Sequence, residues 1–158
     1  MNTIPAAALA LIKKFEGFRA NAYPDPITQW KLPTIGYGTT LYPDSRQVKR
    51  GDTITEERAT ECLADHLEKR CTPALTKIPT WEQMNANQQS ALYSFAYNLG
   101  AGFYRGANFR SITQVCDSPT RWSESTWIAA QLGKYTNRGV AGLVRRRKAE
   151  ATLFCTPV

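Results

Sequence analysis

The sequence predicts a mainly helical α+β fold in two lobes: a small N-terminal β-hairpin lobe, a long connecting helix and a helical C-terminal lobe. Three observations predict it. Apolar residues recur at helical spacing from Thr3 to Phe18 and again through most of the chain after Thr55. Between Asn21 and Arg50 the pattern changes to short β-like pieces broken by Pro, Gly, Asp and Asn, with Tyr23, Trp30, Ile35, Tyr37 and Tyr42 as anchors. A helical stretch from Thr55 toward Cys71 joins the two regions. At 158 residues and 17.7 kDa the chain has room for one domain. Its β lobe is expected at about 19–54, and its helical lobe at about 73–158 together with the N-terminal helix.

The first helix is expected over Thr3–Phe18, with Thr3 as cap and Pro5 in the first turn, where a missing N–H is harmless. On a wheel of about 100° per residue Ala8, Leu9, Leu11, Ile12 and Phe15 form one arc, and Glu16 falls within roughly 20° of Leu9. Asp25 stands between Pro24 and Pro26, so its backbone is held extended in a turn. Thr34, Gly36 and Gly38 alternate with Ile35 and Tyr37, which on a continuing strand puts the Thr hydroxyl and both glycines on one face. Thr55 caps the connecting helix, whose first turn carries Glu56 and Glu57 and whose end or kink is marked by Pro73. Asn85-Ala86-Asn87-Gln88 is a capping box that opens a helix running to Leu99, with Gly100 at its end. Helices at about 108–115, 120–132 and 140–154 complete the chain.

A composition of 42% hydrophobic and 21% charged residues excludes a disordered or membrane-embedded chain. Lys and Arg outnumber Asp and Glu by 20 to 13, which gives +7 and favours an anionic polymer or surface as partner. The basic run Arg145-Arg146-Arg147-Lys148 makes no flat nucleic-acid stripe, because consecutive helical residues point in different directions. Solvated charge with one inward-turned Arg is expected there, and no nucleic-acid module or partner is implied. The four cysteines lack zinc spacing. On one helix Cys62 and Cys71 would sit roughly 13 Å apart at about 1.5 Å rise per residue, too far to bridge. Free thiols in a reducing compartment are therefore expected, with a Cys116–Cys155 bridge left open. His66, the only histidine, stands outside any catalytic motif and reads as structural or exposed. The apolar run Ile4–Ile12 has no basic residue before it and is shorter than the ~20 residues needed to span a bilayer, so neither a signal peptide nor an anchor is expected.

Two carboxylates in unlike settings carry the candidate chemistry. Glu16 lies on the apolar stripe of a helix, and burial disfavours an ionised carboxylate, which suits a general acid. Asp25, in a polar turn, stays ionised and suits a base or electrostatic stabiliser. Replacing Glu16 with Gln is expected to remove the proton donor, keep the fold and slightly raise stability.

Taken in order, Glu16-Gly17-Phe18-Arg19, then Tyr23-x-Asp25, then Thr34-Ile35-Gly36-Tyr37-Gly38-Thr39, this stretch resembles the phage-type lysozymes, the muramidases of glycoside hydrolase family 24. The resemblance continues through Tyr97-Asn98-Leu99-Gly100 and through Gly142 to Glu150. It implies a lysozyme-like fold and hydrolysis of the β-1,4 bond between N-acetylmuramic acid and N-acetylglucosamine in bacterial peptidoglycan, with no metal or cofactor. It implies Glu16 as acid, Asp25 as base or stabiliser, and Thr34 positioning the attacking water. Tyr97 and Asn98 would line the cleft from the helical lobe and Tyr37 to Thr40 from the β lobe, with Arg146 the inward Arg beside Glu16. A monomer is expected, held in the host cytoplasm until a holin-type membrane pore releases it to the wall. A catalytically silent wall-binding or scaffold domain on the same fold is the alternative. Two departures stand out. Eight residues, Pro26 to Pro33, separate Asp25 from Thr34 where shorter spacings are common, so this loop, with Trp30 as a possible substrate contact, should reshape one end of the cleft; and Thr39 stands where some members have His.

Overall fold

A computed structural model describes residues 4–158. Helix α1 (Ala6–Glu16) leads into the antiparallel strands β1 (Arg19–Asp25) and β2 (Gln29–Gly36). The connecting helix follows as α2 (Glu56–His66), a π-helical segment (Leu67–Cys71) and the short α3 (Thr72–Leu75). The helical lobe contains α4 (Ala86–Leu99), α5 (Arg110–Cys116), α6 (Ser125–Leu132) and α7 (Ala141–Phe154). The helix expected over 120–132 is broken into a 3-10 turn at Pro119–Arg121 and α6. Thr3, expected as a cap, lies outside the described residues. The N-cap of α1 is instead Pro5, without a side-chain cap.

Local capping signals form as the sequence requires. The Thr55 hydroxyl accepts from Arg58 N at 3.1 Å, and Asn85 and Gln88 close a reciprocal capping box on α4. α4 is buried almost all round, from Gln88 to Ala96, as befits a helix at the centre of a bundle rather than on its surface. α1 and α7 pack against it, and α6 packs on α7. Phe95 of α4 anchors an aromatic core with Phe103 and Tyr135 in edge contact, at centroid distances of 5.0 and 5.1 Å.

Pro73 does not end the connecting helix. In the π segment Thr72 N bonds to Leu67 O, and the Thr72 hydroxyl reaches the same carbonyl at 3.2 Å. The widened turn brings Pro73 to the start of α3, where its missing N–H is tolerated. All four cysteines are free; Cys62, Cys71 and Cys116 are buried and Cys155 is half-buried, so the Cys116–Cys155 bridge is not formed.

The β lobe departs from the expected strand in two places. Tyr23 pairs with Thr34 and Asp25 with Gln29, so two steps along β1 face five along β2. The extra residues between Asp25 and Thr34 are thus absorbed as a bulge at Trp30–Pro33 rather than as a longer turn. Further on, β2 ends at Gly36. Ile35 N donates to Thr39 O at 2.9 Å and Thr39 N to Ile35 O at 2.8 Å, which closes a turn over Gly36-Tyr37-Gly38. Gly36 and Gly38 take φ values of +65° and +91°, which suit glycine. Thr34 and Gly38 therefore do not share a strand face.

Candidate active site

Glu16 is the last residue of α1, one turn beyond the fully buried Ile12. Its side chain keeps 24% exposure, while its partner Arg146 keeps 4%. Arg146 Nη1 donates to Glu16 Oε2 at 2.6 Å. Arg146 is fixed from behind by α4: its Nε donates to Ser94 Oγ and its Nη2 to Ser94 O, both at 3.2 Å. A guanidinium held at two other points gives Glu16 one preferred orientation.

The sequence reading expects one inward Arg in α7; the helix buries two. Arg147 is 1% exposed, its Nη2 donating to Asn98 Oδ1 and to Glu150 Oε2, both at 2.9 Å. Glu150 is fully buried and also accepts from the Ser94 hydroxyl at 2.6 Å. Burial pushes the Glu150 carboxyl up from its ordinary value and Arg147 down, and the opposite charges counter both shifts. Ser94, Arg147 and Glu150 are absent from the sequence-level site. The available signal is spacing, since Glu150 follows Arg146 and Arg147 by four and three residues on one helix. Arg145 and Lys148 are exposed, as expected of solvated charge.

On the β lobe, Asp25 closes β1. Its Oδ1 accepts from Thr28 N at 2.7 Å, Ile27 N at 2.8 Å and the Thr28 hydroxyl at 3.0 Å. These bonds, led by the Thr28 amide, hold its carboxyl below the ordinary value of 3.8. A depressed folded value means that the associated stabilisation is present above the unfolded value and lost as pH falls through the folded one. We expect a carboxyl NMR titration of Asp25 to show a midpoint below 3.8, and a midpoint at or above it would contradict the turn geometry.

Thr34, 7% exposed, faces Tyr23 across the ladder and donates its hydroxyl to Leu32 O at 3.1 Å. Tyr23, read from the sequence as an anchor and as part of the Tyr23-x-Asp25 motif, stacks under Arg19 at 4.4 Å. Burial chiefly raises its phenol, Arg19 opposes, and both Glu16 and Asp25 push it further up, so one side chain senses both carboxylates.

Tyr97 ties the lobes together: its hydroxyl donates to Tyr37 O at 2.6 Å. Burial, then Glu16, pushes its phenol well up. Its ring meets the edge of the exposed His66 at 5.3 Å. Tyr37 itself is 4% exposed and its hydroxyl donates to Glu56 Oε1 at 3.1 Å, so the carbonyl of this residue, not the ring, meets Tyr97. Thr40 is half-buried, its carbonyl accepting from Val48 N at 3.1 Å. Glu16, Asn98 and Arg146 share a recess of about 750 Å³ with Phe15, Val140 and Leu143. Asp25, Thr34, Tyr37 and Thr40 belong to the β lobe and lie outside that recess. Among the described residues no group of three or more His, Cys, Asp or Glu is placed to hold a metal ion. No helix among them is long and apolar enough to cross a membrane.

The chain is similar to known proteins. The chain is 33% identical over 161 residues to the endolysin of Bacillus phage B103, covering 97% of this chain and 54% of that protein. It is 29% identical over 162 residues to the endolysin of Salmonella phage P22, covering 98% of this chain and 99% of that one. The chain thus spans little more than half the length of some curated relatives it matches and nearly all of others. The solved endolysin from Escherichia coli O157:H7 phage FAHEc1 superposes with a TM-score of 0.77 at 29% identity, over 99% of this chain and 95% of that one. The phage lysozyme family profile matches residues 13–150, and the chain belongs to that family.

Proposed function

We propose that the protein is an endolysin, a muramidase that hydrolyses the β-1,4 bond between N-acetylmuramic acid and N-acetylglucosamine in bacterial peptidoglycan and so lyses the host cell. The observation that carries this reading is the Glu16–Arg146 pair, a half-buried carboxylate held by a buried guanidinium in the lining of a recess. The names of the relatives agree with it.

Glycoside hydrolysis needs an acid to protonate the departing oxygen and a carboxylate across the sugar. Glu16 is the acid. Asp25, held ionised by amide donors, is the base or electrostatic stabiliser. Thr34 spends its proton on Leu32 O, which leaves the lone pairs of its Oγ1 to accept from the attacking water. Asn98 meets the substrate inside the recess that Glu16 lines, and Tyr97, Thr40 and the main chain at Tyr37 meet it outside that recess, toward the β lobe. Neither metal nor cofactor takes part. The whole chain acts as one catalytic domain and as a monomer, with peptidoglycan as its partner and a holin-type pore as its route from the host cytoplasm to the wall.

Clearing of permeabilised bacterial suspensions, run beside a DNA-binding assay, tests the reading. Turbidity loss without DNA binding is expected; DNA binding without lysis would overturn it. The +7 charge gives a further expectation. Raising salt from 0.1 to 1 M shortens the Debye length from about 10 Å to about 3 Å. Lysis of whole cells should therefore fall far more than hydrolysis of a short neutral glycan. Equal sensitivity of the two would show that the basic surface does not serve wall binding.

A further inference from the structure

Behind Glu16 lies a closed set of charges that peptidoglycan hydrolysis as described above does not use. Glu150 is fully buried, at the centre of it. Its Oε2 accepts from Ser94 Oγ at 2.6 Å and Arg147 Nη2 at 2.9 Å and lies 3.6 Å from Arg146 Nε; its Oε1 lies 2.7 Å from Arg147 Nε. Arg147 Nη1 has no hydrogen-bond partner among the described residues, and the guanidinium rests on the Phe95 ring at 4.9 Å. An apolar filling of the same volume is often at least as stable as a buried ion cluster with unsatisfied donors. Fold stability alone therefore gives little reason for these residues here.

The two guanidiniums end on different residues of the recess lining. Arg146 ends on Glu16. Arg147 ends on Asn98 Oδ1, and since a guanidinium can only donate, the Asn98 amide is turned with its oxygen inward. Its NH₂ is left to donate to an acceptor in the recess that Asn98 lines, such as the carbonyl of an acetamido group.

We propose that Glu150 is the positioning residue of this site, setting Glu16 through Arg146 and the donor face of Asn98 through Arg147. This rests on the muramidase reading. Charge supports it as well. The charged groups that pair where α1, α4 and α7 meet are Glu16, Arg146, Arg147 and Glu150, two of each sign, with Tyr97 as the titratable neighbour from α4 and Tyr23 from β1, while the exposed Lys14, Arg145 and Lys148 line the recess beside them and stay the same in every variant. α6, which also packs on α7, contributes no charged side chain. Removing the Glu150 charge leaves a surplus guanidinium facing Glu16, and positive surroundings favour an ionised carboxylate.

The test is Glu150→Gln beside the charge-neutral double variant Arg147→Met with Glu150→Met, each compared with the wild type on soluble peptidoglycan fragments. For Glu150→Gln we expect cooperative thermal unfolding, a fall in kcat/KM of about 10- to 100-fold, and an alkaline limb of the pH–activity profile displaced to lower pH. For the double variant we expect the alkaline limb to stay where it is in the wild type, with KM raised more than kcat is lowered, because Asn98 is released while the charge balance is kept. An active wild type with a folded Glu150→Gln of unchanged pH profile and unchanged KM would overturn the proposal. Should Glu150→Gln not fold, a wild-type KM in the double variant would overturn it. An inactive wild type would instead overturn the muramidase reading.

Discussion

Glu16→Gln should lose nearly all lytic activity while remaining folded, because the amide keeps the shape of the acid but has no proton to give the departing sugar oxygen. General acid catalysis contributes about 10²–10⁴-fold, and a loss on that scale is expected in the turbidity assay. The sequence alone suggests a slight gain in stability, from relief of a carboxylate on an apolar stripe. The Arg146 contact reverses that sign. With Gln in place the guanidinium, 4% exposed, faces a neutral amide at the position of its 2.6 Å partner. Weakening a buried charge-assisted hydrogen bond costs roughly 1–3 kcal/mol, and Ser94, still bonded to Arg146, keeps the loss toward the lower end. A lowered but cooperative thermal transition with abolished lysis is the expected pair of results. Near-wild-type lysis by the folded variant would remove Glu16 from the mechanism.

What the sequence discloses follows from how local each feature is. The Thr55 cap, the Asn85–Gln88 box and the Glu16 position on its helix are decided within about one turn of chain, and all three form. The turn at Gly36-Tyr37-Gly38 was hidden because apolar and small residues alternate in the same way along a strand and across a tight reversal; only the return of Thr39 onto Ile35 separates them. The π segment was hidden because Pro73 signals a break, not the widened turn that relieves it. In α7 a run of four basic residues reads as solvated charge with one inward-turned Arg, and the second buried Arg is not legible there. Besides Glu16, the groups that compensate Arg146 and Arg147 from outside that helix, Ser94 and Asn98, lie about fifty residues earlier, on a helix whose neighbour is fixed only by packing.

Gly38 sets the β-lobe backbone directly against Tyr97 and Glu16, and Gly38→Ala should push the two apart. A methyl group there would lie 2.9 Å from the Tyr97 hydroxyl and 3.4 Å from Glu16 Oε1, at a φ of +91°. Two costs follow. The left-handed backbone is worth about 1–3 kcal/mol against any L side chain. The crowding is separate, because the Tyr97 hydroxyl must give up its 2.6 Å bond to Tyr37 O or push the turn away, and either movement shifts the β lobe relative to Glu16. A misplacement of about 1 Å costs on the order of 10²-fold in rate. Gly51 provides the control: its φ is +94°, and an added methyl meets nothing within 4 Å. Gly51→Ala should therefore lose only the backbone share of stability and keep its specific activity, while Gly38→Ala loses more stability and its activity as well. Thermal unfolding and turbidity clearing on the two variants decide the matter. Matching activities in the two folded variants would mean that the Tyr97–Tyr37 contact does not set the catalytic geometry.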